Sequence, residues 1–191
     1  MIKAAKGRLL LHLCCAPCGT VGWTDLLAEG WDVTAFFWGA NIHPYGEWVR
    51  RREAVVQLSK ALDGPALLRP WAPEGWFAAV RGLEREPEGG ARCEKCFALQ
   101  LQAAADAARQ GGFDALCTSL TSSRQKSPEL INRLGRSIAE RQGLYWEERI
   151  WRRNNGAARS AEICRRLGLY RQDYCGCLFS LASRRREGKI A

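Results

Sequence analysis

Seven of the nine cysteines in this 191-residue chain stand in three tight groups, and the groups lie far apart in sequence. Cys14, Cys15 and Cys18 share one five-residue stretch, Cys93 and Cys96 are three apart, and Cys175 and Cys177 enclose a single glycine. An odd total rules out complete pairing within the chain. The basic start Met1–Arg8 and the apolar run Leu9–Cys15 have the outline of a short signal segment. His12 interrupts that run, however, and cysteines stand where a cleavage site would be. The run is therefore read as a buried strand and the protein as cytoplasmic. Cytosolic thiols stay reduced, so metal binding or redox chemistry is the leading use for these residues.

Between the cysteine groups, hydrophobic periodicity alternates between strand and helix. Arg8–Leu13 is a continuous apolar run of the kind buried parallel strands show. Cys14–Cys18 is a turn, and Pro17 suits the first turn of a helix running to about Glu29. Strands are expected at 32–38, 66–69, 114–120 and 144–151. Helices are expected at 47–62, 73–80, 94–110, 128–142, 156–167 and 177–186. This alternation predicts one α/β domain over residues 1–191, a parallel sheet flanked by helices on both faces. Ligands of such sheets bind beyond the carboxyl ends of the strands, and the first cysteine group follows the first strand directly. No apolar run reaches the roughly 20 residues a membrane-spanning helix needs, so no membrane partner is expected.

The net charge is +9 and is unevenly placed. Residues 1–123 hold 13 basic and 13 acidic side chains; residues 124–191 hold 16 basic and 7 acidic. A basic last third attracts polyanions, because phosphate contacts release condensed counterions. A solvated surface kept for solubility would read the same way.

Each cysteine group carries its own chemistry. Cys14, Cys15 and Cys18 sit where a helix begins, and the positive end of the helix dipole favours thiolate, the form that ligates metal or attacks a substrate. Cys93 and Cys96 open the helix at 94–110, on one side of its first turn, beside Arg92 and Lys95. Four thiolates from these two groups suit zinc or an iron–sulfur cluster. Cys175 and Cys177 can close a small strained ring, and read equally as an electron relay or as metal ligands. Cys117 and Cys164 lie on apolar stripes and read as core. His12 reads as a hydrogen-bonded core histidine. His43, in the loop Asn41–Tyr45, is placed to touch substrate or solvent. Trp151, beside Arg152 and Arg153, reads equally as a base-stacking residue or a core anchor.

In order along the chain, LLLHLCCAPCGT (9–20), FFWGANIHP (36–44), GLEREPEGGARCEKCF (82–97), GFDALCTSLTSS (112–123) and RRNNGAARSAEICRRLGLYRQDYCGCLFS (152–180) together resemble the QueH family of epoxyqueuosine reductases. The likeness spans residues 9–180 with little interruption. It implies an adenine-nucleotide α-hydrolase-like (HUP-type) sheet and reduction of the epoxide of epoxyqueuosine, at the wobble position of tRNA, to queuosine. It further implies a [4Fe-4S] cluster on Cys14, Cys15, Cys93 and Cys96, and a redox-active pair at Cys175 and Cys177. A second, mononuclear metal (iron) is also implied, with Cys18 as candidate ligand. The partners would be tRNA carrying epoxyqueuosine and an electron donor that the sequence does not identify.

Arg152, Arg153, Arg184, Arg185 and Arg186 are the candidate tRNA contacts. The chain departs from the family pattern at Gly39–Ala40, over Ser122–Pro128 and over Asn154–Ala158, which touch substrate or second-metal contacts but none of the six cysteines. Two other classes compete: a thiol–disulfide oxidoreductase using the Cys15-Ala16-Pro17-Cys18 spacing, and a zinc-stabilised RNA-binding module. A nucleotide-activating enzyme would need a Gly/Ser-rich phosphate turn where Cys14–Cys18 stands.

Overall fold

Leu9, Leu10, Leu11 and Leu13 are fully buried, which requires a strand covered on both faces. That strand, β1 (Arg8–Leu13), is the centre of a five-stranded parallel sheet in a computed structural model that describes residues 6–190. Residues 1–5, which hold most of the basic leader before β1, and residue 191 lie outside the described residues. β1 pairs on one side with β2 (Asp32–Phe37), which pairs in turn with β3 (Ala66–Leu68). On its other side it pairs with β4 (Ala115–Thr118), which is followed by β5 (Tyr145–Trp146). The order is β3-β2-β1-β4-β5.

Helices cover both faces, as the alternation predicts. α1 (Ala16–Ala28), α2 (Tyr45–Ala61) and α6 (Gly156–Leu167) cover one face, where Leu9, Leu11, Leu13, Trp23, Val55 and Leu58 form the core. α4 (Ala91–Gln110) and α5 (Pro128–Arg141) cover the other, over Leu10, Phe36, Leu101, Leu116, Ile131 and Trp146. Two shorter helices, α3 (Glu74–Val80) and α7 (Leu178–Arg186), stand at the edge. Among the described residues no helix is long and apolar enough to cross a membrane.

Two strands stop earlier than the apolar pattern suggests. β4 ends at Thr118 because Leu120–Ser122 winds into a 3-10 turn. β5 spans two residues rather than 144–151. Beyond it, Arg149 turns away to pair with Glu147 and Glu29, at 2.5 Å in each case. Trp151 is buried there and donates its indole N–H to the Thr118 carbonyl at 2.9 Å. Of the two readings of Trp151, the structure supports the core anchor.

The chain leaves β1 and β4 toward opposite halves of the sheet. The loops after these neighbouring strands therefore diverge and open a crevice at their carboxyl ends, the place where doubly wound sheets hold ligands. The α5–β5 packing beside it leaves no room for a side chain at residue 135: a β-carbon there would lie 2.1 Å from the Trp146 ring. Trp146 is fixed by its indole N–H on Asn132 Oδ1 at 3.2 Å. Gly135→Ala is expected to cost about 1–3 kcal/mol through overpacking, more than alanine's gain in helix propensity. Urea denaturation would show a lower midpoint; an unchanged midpoint would mean that the indole moves aside freely.

Candidate metal and redox centre

Each of the three cysteine groups stands at a helix amino terminus. Cys15 is the N-cap residue of α1, with Cys14 before it and Cys18 in the first turn. Cys93 lies in the first turn of α4, whose N-cap is Gly90, and Cys96 follows one turn on. Cys177 is the N-cap residue of α7, with Cys175 two residues before it. Unpaired N–H groups and the positive end of each helix dipole thus surround the sulfur atoms.

The sulfurs of Cys14, Cys15 and Cys18 all lie within 4.8 Å of one another, at the crevice between β1 and β4. Cys14 and Cys15 are 3.8 Å apart, and Cys14 rests 3.9 Å from the Ser119 hydroxyl after β4. The Cys15 and Cys18 thiols donate toward Cys14 and hold its pKa well below the ordinary thiol value, with further help from Lys126 and the neighbouring His12. Burial and the charge on Cys14 push Cys15 up to about 12. Cys18 is raised by its bonds to Cys14 and Cys15. Of the three, Cys14 is the one whose surroundings favour thiolate, the form that binds a cation.

The second group lies near Cys175 of the third. Cys96 is buried, and burial followed by the proximity of Cys175 raises its pKa. Burial and Cys175 likewise raise Cys177, to about 11, and Cys93. Cys175 also lines, with Cys14, Cys18 and Lys126, a cavity of about 240 Å³. Lys126 is half-buried, and although burial opposes its charge, Cys175, Cys14, Cys18 and Cys15 together raise its pKa. Cys175 therefore stands near both groups, and Lys126 beside the first.

Its sulfurs collect N–H donors. Gln172 donates to Cys15 at 2.8 Å, the Gly89 amide to Cys93 at 3.2 Å, and Trp76 and Gln100 to Cys96 at 3.2 and 3.3 Å. Donors aimed at sulfur stabilise thiolate, and thiolates bind metals, so this donor set fits an iron–sulfur or other soft-metal centre. The same geometry weighs against a thioredoxin-like reading. Cys15, which would be the attacking thiol, is fully buried with a raised pKa, whereas reactive thiols are accessible and acidic.

A buried ion pair holds the third group in place. Arg51 is 1% exposed and Glu47 0%. The Arg51 guanidinium donates to Glu47 Oε1 at 2.7 Å and to the carbonyls of Tyr174 and Cys175, each at 2.9 Å. Glu47 also accepts from Arg50 and from the Tyr170 hydroxyl, both at 2.7 Å. Burial alone would raise its pKa, but Tyr170, Arg51 and Arg50 bring it below the ordinary carboxylate value. Between the two cysteines, Gly176 adopts φ +137°, and a β-carbon there would stand 3.1 Å from Arg51 Nη1. Only glycine fits both requirements.

Placement of the other candidates is mixed. His12 is buried on Thr118 Oγ1 at 2.9 Å, as a core histidine, and Cys117 and Cys164 are core. His43 is buried against Trp76 and Phe77, with its amide on the Gly176 carbonyl at 2.8 Å. The five arginines differ in their surroundings. Arg152 is committed to the Ser123 and Lys126 carbonyls at 2.9 and 3.0 Å, and so braces the Lys126 loop. Arg153 is exposed. Arg184 lines the thiol cavity, while Arg185 and Arg186 line two others. Sequence reasoning missed Glu47, Arg51, Lys126 and Gln172. Arg51 left a signal, a charge at a core-facing position between Trp48 and Val55. Lys126 and Gln172 left only their places in the Ser122–Pro128 stretch and the 152–180 block, since both act from loops.

The arrangement is that of a parallel α/β sheet with a thiolate centre at its switch point. The sequence model of the family Epoxyqueuosine reductase QueH matches residues 9–183, and the chain belongs to that family. The Epoxyqueuosine reductase QueH of Acinetobacter baylyi is 38% identical over 175 residues, 91% of this chain and 80% of that protein. That of Thermotoga maritima is 33% identical over 187 residues, 95% of this chain and 94% of that protein. In solved structures, the fold matches the U34-tRNA thiolase NcsA from Methanococcus maripaludis with TM-score 0.59 at 14% identity. That match covers 97% of this chain and 65% of NcsA.

Removing one partner of a buried pair strands the other charge, at about 3–5 kcal/mol. Arg51→Met is therefore expected to lower the thermal midpoint and to speed alkylation of Cys177 by iodoacetamide. Wild-type alkylation would show that the clamp does not hold the loop. Glu47→Gln adds a pH signature. Because the folded carboxylate has a depressed pKa, its stabilisation is full above the unfolded value of about 4.3 and is lost as pH falls through the folded one. The variant's deficit should be largest at neutral pH and fade in acid; a pH-independent deficit would contradict this assignment.

Proposed function

We propose that this protein reduces epoxyqueuosine at the wobble position of tRNA to queuosine, in the cytoplasm, as an iron–sulfur-dependent oxidoreductase. The observation that supports the reading is that Cys175 borders the cavity lined by Cys14, Cys18 and Lys126, while Cys93 and Cys96 lie close enough to Cys175 to feel its charge. Family membership supplies the substrate, and the names of the related proteins support it.

Opening an epoxide and removing its oxygen as water consumes two electrons and two protons. The Cys175/Cys177 dithiol supplies both when it closes to a disulfide, and an external reductant must then reopen it. The pair borders the cavity through Cys175, while the Arg51 clamp fixes its backbone. Lys126 lines the same cavity and places positive charge where an epoxide oxygen becomes alkoxide. Gln172 orients the Cys15 sulfur.

A [4Fe-4S] cluster on Cys14, Cys15, Cys93 and Cys96 would supply single electrons here, and a second metal at Cys18 Lewis acidity. Cys14 and Cys93 pack against the same apolar cluster, which supports a shared centre. The tight Cys14/Cys15/Cys18 trio supports a second ligand role for Cys18. The zinc-module alternative draws less support. A closed structural zinc site takes four ligands, and the group that converges to single-ion distance among the described residues has three.

Protein purified without oxygen should be brown, with about four irons and four sulfides per chain for the cluster. With a chemical reductant it should convert epoxyqueuosine in tRNA to queuosine, read by mass spectrometry of the nucleosides. Cys175→Ser and Cys177→Ser should each abolish turnover while iron is retained. A colourless zinc protein, or undiminished turnover in both variants, would contradict the proposal.

A further inference from the structure

A larger cavity, of about 870 Å³, adjoins the thiol-lined one. Asp173 and Tyr174 line both cavities and form their common wall. No cysteine lines the larger one. Its walls are aromatic: Tyr45 is 54% exposed and lies nearly flat on Trp48, and Phe77 is 40% exposed. Trp71 stands 5.2 Å from Tyr45 between ring centres, and its indole N–H is held by the Ile42 carbonyl. The rim carries more cations than anions, with Arg50 (paired with Glu47), Arg185 from α7 and Lys189 beyond it against the exposed Asp173. Lys189 pairs with Glu187 at 2.6 Å on an exposed surface, a pairing weak enough to yield to a phosphate.

At the floor lies the buried His43, whose ring has no side-chain hydrogen-bond partner and only the Asn41 backbone beside it. Burial pushes its pKa down to about 4, against the opposing effect of the Asn41 backbone, so the neutral ring keeps one nitrogen in want of a partner. The half-exposed Phe77 ring packs against it at 4.6 Å between ring centres.

We propose that this pocket binds a nucleotide of the anticodon loop next to the one whose modified base enters the thiol cavity. The inference rests on the reading of tRNA as substrate. Exposed aromatic faces stack on any base, a cationic rim takes the flanking phosphates, and the His43 ring offers an edge for pairing. The shared wall lets successive nucleotides of one strand fill the two cavities. The absence of thiols from the aromatic pocket assigns it the neighbour and leaves the reacting group to the cavity with Cys175.

The test measures binding of a fluorescein-labelled anticodon stem-loop RNA to the anaerobically purified full chain by anisotropy. Tyr45→Ala and Phe77→Leu should each weaken binding roughly tenfold, whereas Phe77→Tyr, which keeps a stacking face, should restore it. Lys189→Glu should flatten the dependence of affinity on salt by about one phosphate contact. RNA made abasic at a nucleotide flanking the wobble position should lose affinity for wild type but little more for Phe77→Leu, since both changes remove one interaction.

Wild-type affinity in Tyr45→Ala and Phe77→Leu, or fully additive losses with every abasic RNA, would overturn the pocket assignment. Turnover of epoxyqueuosine by the wild-type protein would then leave the reductase reading standing. Wild-type protein that neither binds the stem-loop nor reduces tRNA would overturn both. Phe77→Leu preserves apolar volume, so its loss reports the missing ring and not a collapsed fold.

Discussion

Sulfur atoms gathered at one corner of a protein repel one another once they ionise, and burial makes each charge costlier still. The structure meets this constraint with positive potential from every side. Three helix amino termini, those of α1, α4 and α7, carry the cysteine groups. N–H donors from Gly89, Trp76, Gln100 and Gln172 reach individual sulfurs. Arg51 and Lys126 add full charges, each influenced by Cys14 and Cys15. Burial still keeps most of these thiols protonated, and Cys14 is the one the surround tips toward thiolate.

The sheet makes the gathering feasible. Cys14 follows β1 and Ser119 follows β4, and because these strands are neighbours the two loops meet although 105 residues separate them. The last cysteine group comes from a loop with no strand to anchor it. The Glu47–Arg51 pair does that work from inside α2, reaching the carbonyls of Tyr174 and Cys175 across more than 120 residues of sequence. A buried pair of this kind is a poor source of stability against an apolar alternative. Its value here is positional, since it fixes the backbone on which Cys175 and Cys177 ride.

Much of this was legible from the sequence because it is written in local patterns. The apolar run of β1, the proline at the start of α1 and the glycines after α4 mark the elements with little tertiary input. The parallel order follows from their alternation. The cysteine groups announced themselves by spacing. What stayed hidden depended on long-range geometry. Ile150 and Trp151 look like strand residues, yet they pack as a loop once Arg149 turns toward Glu29. Arg152 reads as a phosphate contact, and the sequence does not foretell its bond to the Lys126 carbonyl, which braces that loop. Lys126 and Gln172 are ordinary polar loop residues until the fold sets them against sulfur. The aromatic cavity draws on Tyr45, Trp71, Phe77 and Tyr174, whose positions share no period.

The account stands on one claim: thiols from distant segments serve a single inorganic centre. Anomalous diffraction at the iron edge, from crystals grown without oxygen, tests it most directly. The expected map has iron density bounded by sulfurs of both Cys14/Cys15 and Cys93/Cys96, within reach of Cys175. Iron confined to Cys14, Cys15 and Cys18, with Cys93 and Cys96 bare, would contradict the account.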